Sequence, residues 1–271
     1  MNFARRTLSR EVVFEGLGLH SGIPVRVTVH PGEAGIWFRL GSGRWQARPE
    51  NVTDTTRCTK LGDVSTIEHL MSALAGLEIT DVEVELTAGE LPALDGSALG
   101  YVEGFRKAGF ASLPDGEMRE LFSRVFFQDL PVKIAIGKGD GHWRYTYEVA
   151  DRWPGEQAHE ALDVVAAYAG EIAPARTFAL AEEVPMVLAA GLAKGLDIEK
   201  ALILGIEGYK NDARFPDEPA RHKLLDLIGD LYLAGIPARL LNVSAEKSGH
   251  RTNVEAAARL LASVSEEVRT K

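Results

Sequence analysis

The chain of 271 residues holds a single cysteine, Cys58. A lone thiol excludes an internal disulfide, and a reducing compartment is the easier home for it. No run of about eighteen apolar residues occurs, so no membrane-spanning helix is expected. Charge of one sign is not massed either. Lys and Arg number 30 against 39 Asp and Glu, a net charge of −9 with no basic block, so a nucleic-acid footprint is not expected. No apolar core of signal-peptide length follows the basic start "MNFARR", which reads as the lack of a secretion signal. These absences point to a soluble, cytoplasmic protein. What remains is ordinary globular composition, 45% hydrophobic and 25% charged residues, on a chain long enough for two domains or one large one.

Residues 11–40 alternate apolar and polar positions between Gly and Pro punctuation, the pattern of paired strands. "STIEHLMSALAGLEI" (65–79) switches to helical spacing, and Ser65 with Glu68 fits a capping box. "TDVEVEL" returns to a two-residue period, and residues 92–109 give a turn and a second helix. "ASLPDGEMRE" (111–120) is polar and breaks the pattern, which places a boundary between domains 1–118 and 119–271. Strand alternation resumes at 125–136 and 142–149 around the hairpin signal "GKGDG". Helices are expected near 156–170, 180–193, 218–234 and 253–268, with "KALILGI" and "ARLLNVSA" as strands. Strands and helices without regular βαβ alternation favour α+β over a doubly wound sheet.

The helix "EPARHKLLDLIGDLYLAG" (218–235) poses the functional question. Leucines cover most of its circumference, yet His222, Asp226 and Asp230 form a stripe at four-residue spacing. Burying such groups costs several kcal/mol unless they are paired or ligate a metal. An imidazole and a carboxylate on adjacent turns can share one cation, and zinc accepts both; an intrahelical His–Asp hydrogen bond is the plainer alternative. "TIEHL" adds Glu68 and His69 at the start of an apolar helix. The histidine can supply a third ligand and the carboxylate a general base, or Glu68 serves only the capping box and His69 is a core histidine. His250, in "EKSGHRTN", follows a Ser-Gly turn between a strand and a helix. It is either an exposed loop residue or a catalytic side chain held on a rigid scaffold.

Seven stretches together resemble the zinc-dependent UDP-3-O-acyl-N-acetylglucosamine deacetylases of lipid A biosynthesis: "GLGLHSG" (16–22), "TRCT" (56–59), "STIEHLMSALAGL" (65–77), "ELPALDGSA" (90–98), "ARTF" (175–178), "RHKLLDLIGDL" (221–231) and "KSGH" (247–250). The resemblance implies that His69, His222 and Asp226 are metal ligands and that Glu68 is the general base. It implies that His250 is the charged histidine that stabilises the oxyanion and protonates the leaving amine, oriented by Asp230. Thr177 would donate to the tetrahedral intermediate, Phe178 would touch the sugar, and Lys223 would lie near the diphosphate. Cys58 aligns near the site, where a buried core role is its default, and His20 resembles a histidine near the active site that binds extra metal, with a structural role in a strand-end turn as the alternative. The implied fold is two similar α+β domains packed helix layer to helix layer around the site, with an insert near 185–204 forming an apolar acyl passage.

The chain departs from the family where substrate is recognised. "DRWP" (151–154) stands for a Phe-x-His-Pro stretch whose ring stacks on uracil. Asp151 falls where the ring would be, and Trp153 is the replacement. Lys194 stands for a glycine of the insert. The expected reaction is therefore deacetylation of a UDP-linked acylated amino sugar by a monomer holding Zn2+, with Fe2+ also suited to two histidines and an aspartate. The alternatives are a deacetylase of another acylated amino sugar, a catalytically silent relative, or an oxygenase, which has no use for Glu68 and His250.

Overall fold

A computed structural model describes residues 2–117 and 124–265 of the chain. In the first half, β1 (Asn2–Leu8), β2 (Val12–Leu17), β3 (Pro24–Pro31), β4 (Ile36–Leu40), β5 (Gly43–Gln46), β6 (Val52–Asp54) and β7 (Lys60–Leu61) precede α1 (Glu68–Gly76). β8 (Val82–Leu86), α2 (Leu99–Ala108) and β9 (Phe110–Glu117) complete it. The second half opens with β10 (Val125–Asp129), β11 (Val132–Lys138), β12 (Trp143–Glu148), β13 (Glu156–Ala161) and a short α3 (Val164–Ala167). β14 (Phe178–Leu180), α4 (Val184–Ala189), β15 (Leu202–Leu204), α5 (Glu218–Leu231), β16 (Leu241–Glu246) and α6 (His250–Ser265) follow.

Each half is built on a five-stranded sheet, and the two share one topology. The order β2-β3-β8-β4-β5 in the first is matched by β10-β11-β16-β12-β13 in the second. In each, the late strand enters the middle, antiparallel to one neighbour and parallel to the other. This is the α+β arrangement expected, repeated without evident sequence identity. Two-residue periodicity explains the inner faces: Val25, Val27 and Val29 of β3 and Val82, Val84 and Leu86 of β8 are buried. Trp143 and Tyr145 of β12 and Val243 and Ala245 of β16 do the same in the second sheet.

Helices fill the space between the sheets. Every residue of α1 is buried, and in α5 only Arg221 and Lys223 escape full burial. A helix apolar on all sides belongs inside a protein, and these two cover each other. Gly229 of α5 lies directly on the backbone of α1, where a Cβ would collide with the Glu68 carbonyl oxygen. The Tyr168 ring lies over Gly76 in the same manner, and its hydroxyl donates to Ser72 at 2.8 Å.

Several local expectations are corrected. "GKGDG" does not close a hairpin, because β16 lies between β11 and β12. Residues 156–161 form an edge strand paired with β12, and the helix expected there is confined to α3 and the turn after it. The polar stretch from 111 to 117 pairs with β1 and so belongs to the first half; the boundary near 118 lies outside the described residues. Ser65 caps nothing: α1 starts after Ile67, and the Ser65 N–H donates to the Gly89 carbonyl. Within residues 185–204, Met186 and Leu188 of α4 are exposed, whereas Leu202 and Leu204 of β15 are buried.

Candidate metal-dependent active site

The crossing of α1 and α5 assembles the polar stripe. His69 Nε2 and His222 Nε2 stand 3.7 and 3.5 Å from Asp226 Oδ1, and all three residues are buried. The imidazoles meet edge to face with centroids 5.0 Å apart. Asp226 Oδ1 is buried without a hydrogen-bond partner among the described residues, whereas Oδ2 accepts from Lys223 Nζ at 2.9 Å. His222 places Nδ1 3.0 Å from the Ala175 carbonyl, which requires Nδ1–H and leaves the Nε2 lone pair towards Asp226. Two imidazole nitrogens and an orphaned carboxylate oxygen within 4.8 Å of one another suit a divalent cation with an open position. This is the only such cluster of three or more among the described residues.

Electrostatics agree. Burial, assisted by His222, pushes the His69 pKa down to about 3, and burial lowers His222 as well. Both are neutral near pH 7, the form that binds metal. Burial opposes the charge on Asp226, but Lys223 and His222 hold its pKa well below the carboxylate range. Lys223, disfavoured by burial, is in turn raised above its ordinary value by Asp226.

Glu68 and His250 flank this cluster. Glu68 Oε2 accepts the Thr59 N–H at 3.0 Å, and Oε1 lies 3.9 Å from His250 Nε2. Burial pushes the Glu68 pKa up to about 7, a value suited to a group that must take a proton near neutrality. His250 opens α6, with Nδ1 3.0 Å from Asp230 Oδ2. Burial alone would lower its pKa, yet Asp230 and Glu68 carry it up to about 9, so its ring is an imidazolium at neutral pH.

These groups line a cavity of about 200 Å3 with Thr177, Phe178 and Lys223. Phe178 meets His222 edge to face, and Lys223 Nζ lies 5.5 Å from the centre of its ring. The buried Arg176 places Thr177 and Phe178: its guanidinium and backbone N–H both bind Glu218, the first residue of α5. A second chamber of about 560 Å3 adjoins the cavity, sharing His20 and Arg57 and lined also by Ile23, Cys58 and Leu192. Ala193 and Leu196 line the cavity, and between them the Lys194 and Gly195 N–H groups donate to the His20 and Leu19 carbonyls of the "GLGLHSG" loop.

Not every expected site residue gathers here. Trp153 lies outside the lining and packs edge-on against Tyr209, centroids 4.5 Å apart. Cys58 faces the adjoining chamber, its thiol pushed up to about 12 by burial and Glu68. Two partners had no assigned role. Asn253, one turn beyond His250, donates to Asp230 Oδ2 at 3.0 Å; its three-residue spacing was the available signal. Thr59 donates its hydroxyl to Asp230 Oδ1 at 2.6 Å, and nothing in its local sequence marks that contact.

Comparison with known proteins agrees with the geometry. The family of UDP-3-O-acyl N-acetylglycosamine deacetylases matches residues 5–262. A protein of Leptospira biflexa named UDP-3-O-acyl-N-acetylglucosamine deacetylase is 34% identical over 96% of this chain and 90% of its own length. Proteins of the same name from Anaeromyxobacter dehalogenans and Trichormus variabilis are 37% and 32% identical, each over 95% of this chain and over 87% and 98% of their own. With a match from residue 5 to residue 262, the chain belongs to the UDP-3-O-acyl-N-acetylglucosamine deacetylase family.

Proposed function

We propose that this protein hydrolyses the acetamide of UDP-3-O-acyl-N-acetylglucosamine to the free amine and acetate, the committed step of lipid A biosynthesis. The observation that carries the reading is the convergence of His69, His222 and Asp226 with Glu68 and His250 on one cavity, in a member of this family. Zn2+ is the cation proposed, with Fe2+ as the competitor for the same donors. When bound by His69, His222 and Asp226, it would acidify a water and polarise the amide carbonyl.

The side chains divide the remaining work. Glu68 accepts the proton of the attacking water at Oε1. His250 offsets the charge that develops on the carbonyl oxygen, and the Thr177 hydroxyl donates to that oxygen. As the C–N bond breaks, His250 Nε2 gives its proton to the departing nitrogen. Asp230 keeps Nδ1 protonated and the ring aimed into the cavity. Phe178 meets the sugar, and Lys223 lies towards the diphosphate. The chamber under Leu192 would take the acyl chain, and Trp153 the uracil. The two halves would be separate domains divided near residue 118, acting as a cytoplasmic monomer. Among the described residues no helix is long and apolar enough to cross a membrane.

A second reading, deacetylation of a different acylated amino sugar, is favoured by one observation. Trp153 is engaged with Tyr209 away from the cavity lining. The test is acetate release from UDP-3-O-(3-hydroxyacyl)-N-acetylglucosamine by metal-loaded protein, with and without chelator. Chelator-sensitive turnover supports the first reading; a stoichiometric bound metal without turnover favours the second.

A further inference from the structure

Asp230 belongs to the second half of the chain and Glu68 to the first, yet one residue binds both. Thr59 is fully buried between β6 and β7. Its carbonyl accepts the N–H of Ile67, the residue that opens α1. Its own N–H donates to Glu68 Oε2 at 3.0 Å, and its hydroxyl donates to Asp230 Oδ1 at 2.6 Å. The opposite oxygen of Asp230 serves His250 Nδ1 and Asn253 Nδ2, each at 3.0 Å.

An ionised carboxylate offers only acceptors, and a buried one is held by whatever donors reach it. Hydrogen bonds to such a charge are short and about twice as strong as neutral ones. With Oδ1 tied to Thr59 and Oδ2 to Asn253, the carboxylate cannot turn about its own axis. Its Oδ2 lone pair therefore stays on His250 Nδ1, and His250 Nε2 faces the cavity opposite Glu68 Oε1. Without the hydroxyl, Oδ1 is a buried acceptor with no other donor among the described residues, and rotation of Asp230 releases the imidazole from its orientation.

We propose that Thr59 is a positioning residue for the hydrolysis: through its hydroxyl it fixes Asp230, and through Asp230 the orientation of His250, while its backbone N–H fixes Glu68. The inference rests on the deacetylase reading.

A double-mutant cycle tests it, because residues acting through one another are not additive. Thr59→Val removes the hydroxyl at nearly constant volume, Thr59→Ser retains it, and Asp230→Asn alters the carboxylate it grips. Thr59→Ala replaces Thr59→Val if the latter does not fold, as judged by its melting transition. Loss of one hydrogen bond to a charged group predicts kcat for Thr59→Val lower by roughly ten- to a hundredfold. KM and bound metal should stay near the wild-type values, and Thr59→Ser should recover most of the loss. In the Asp230→Asn background, Thr59→Val should have little further effect on kcat. Wild-type-like turnover by Thr59→Val, a Thr59→Ser enzyme as slow as Thr59→Val, or the same fold loss with Asp230→Asn overturns the inference while leaving the deacetylase reading intact. Absence of acetate release by metal-loaded wild-type protein overturns both.

Discussion

Glu68 Oε1 and His250 Nε2 face each other 3.9 Å apart, although one side chain comes from the first helix of the first half and the other from the last described helix of the second. Each shifts the other towards its charged form. A pair so disposed can hold a carboxylate and an imidazolium at once, which a base and an acid working on one substrate require.

The pH dependence of kcat/KM follows. In the proposed mechanism Glu68 must be ionised to accept a proton, so activity should fall as pH drops through about 7; a bound cation beside it would favour the charged form and draw this limb lower. In the same mechanism His250 must be protonated to donate, so activity should fall as pH rises through about 9. Glu68→Gln should lose roughly 10²–10⁴ in kcat with metal content unchanged. A flat profile between pH 6 and 10 would remove the acid–base assignment.

Metal binding should depend on the donors. His222→Ala and Asp226→Asn should be purified with well under one equivalent of metal, whereas Glu68→Gln retains it. Because a ligand bound only by the folded state stabilises it, by about 4 kcal/mol at a thousandfold excess over Kd, chelation should lower the melting temperature of the wild type. It should leave that of His222→Ala unmoved. Calorimetric scans with and without EDTA, beside elemental analysis, decide this.

The polar stripe of α5 was legible because helical periodicity is local: residues four apart share a face wherever the helix lies. Its buried partner Thr59 was not. Thr59 reaches Asp230 across 171 positions, and no period or cap in "TRCT" records such a contact. The same limit explains the hairpin misread at residues 137–141. A turn signal reports the turn, not whether β16 will later insert between the two strands. Residues 156–161 contain Ala and Glu, good helix formers, but pairing with β12 overrides that preference. Ser65 and Glu68 fit a capping box by spacing, and the fold instead uses the Glu68 carboxylate in the active-site cavity.

Gly229 sets the distance between the helices that carry the site. A Cβ there would overlap the carbonyl oxygen of Glu68, so Gly229→Ala must push α1 and α5 apart. Overpacking of this kind costs about 1–3 kcal/mol, against which the better helix propensity of alanine returns at most about 1 kcal/mol. The variant should melt several degrees lower and bind metal more weakly, because His69 moves away from His222 and Asp226. Unchanged stability and unchanged metal affinity would show that the α1–α5 crossing tolerates a Cβ at Gly229.

Beside its proposed substrate contact, Lys223 is expected to have a second duty. Its ammonium lies 2.9 Å from Asp226 Oδ2 and, with His222, keeps that carboxylate ionised against its burial. Removing it leaves Oδ2 buried without that partner and raises the cost of the charge that the cation needs. Partners of this kind typically change metal affinity by about 10–100-fold when lost. Lys223→Met should therefore weaken metal binding, measured by competition with a chromogenic chelator, in addition to raising KM. A contact that served the diphosphate alone would raise KM and leave the metal equilibrium where it was, so measuring both quantities on one variant separates the two duties.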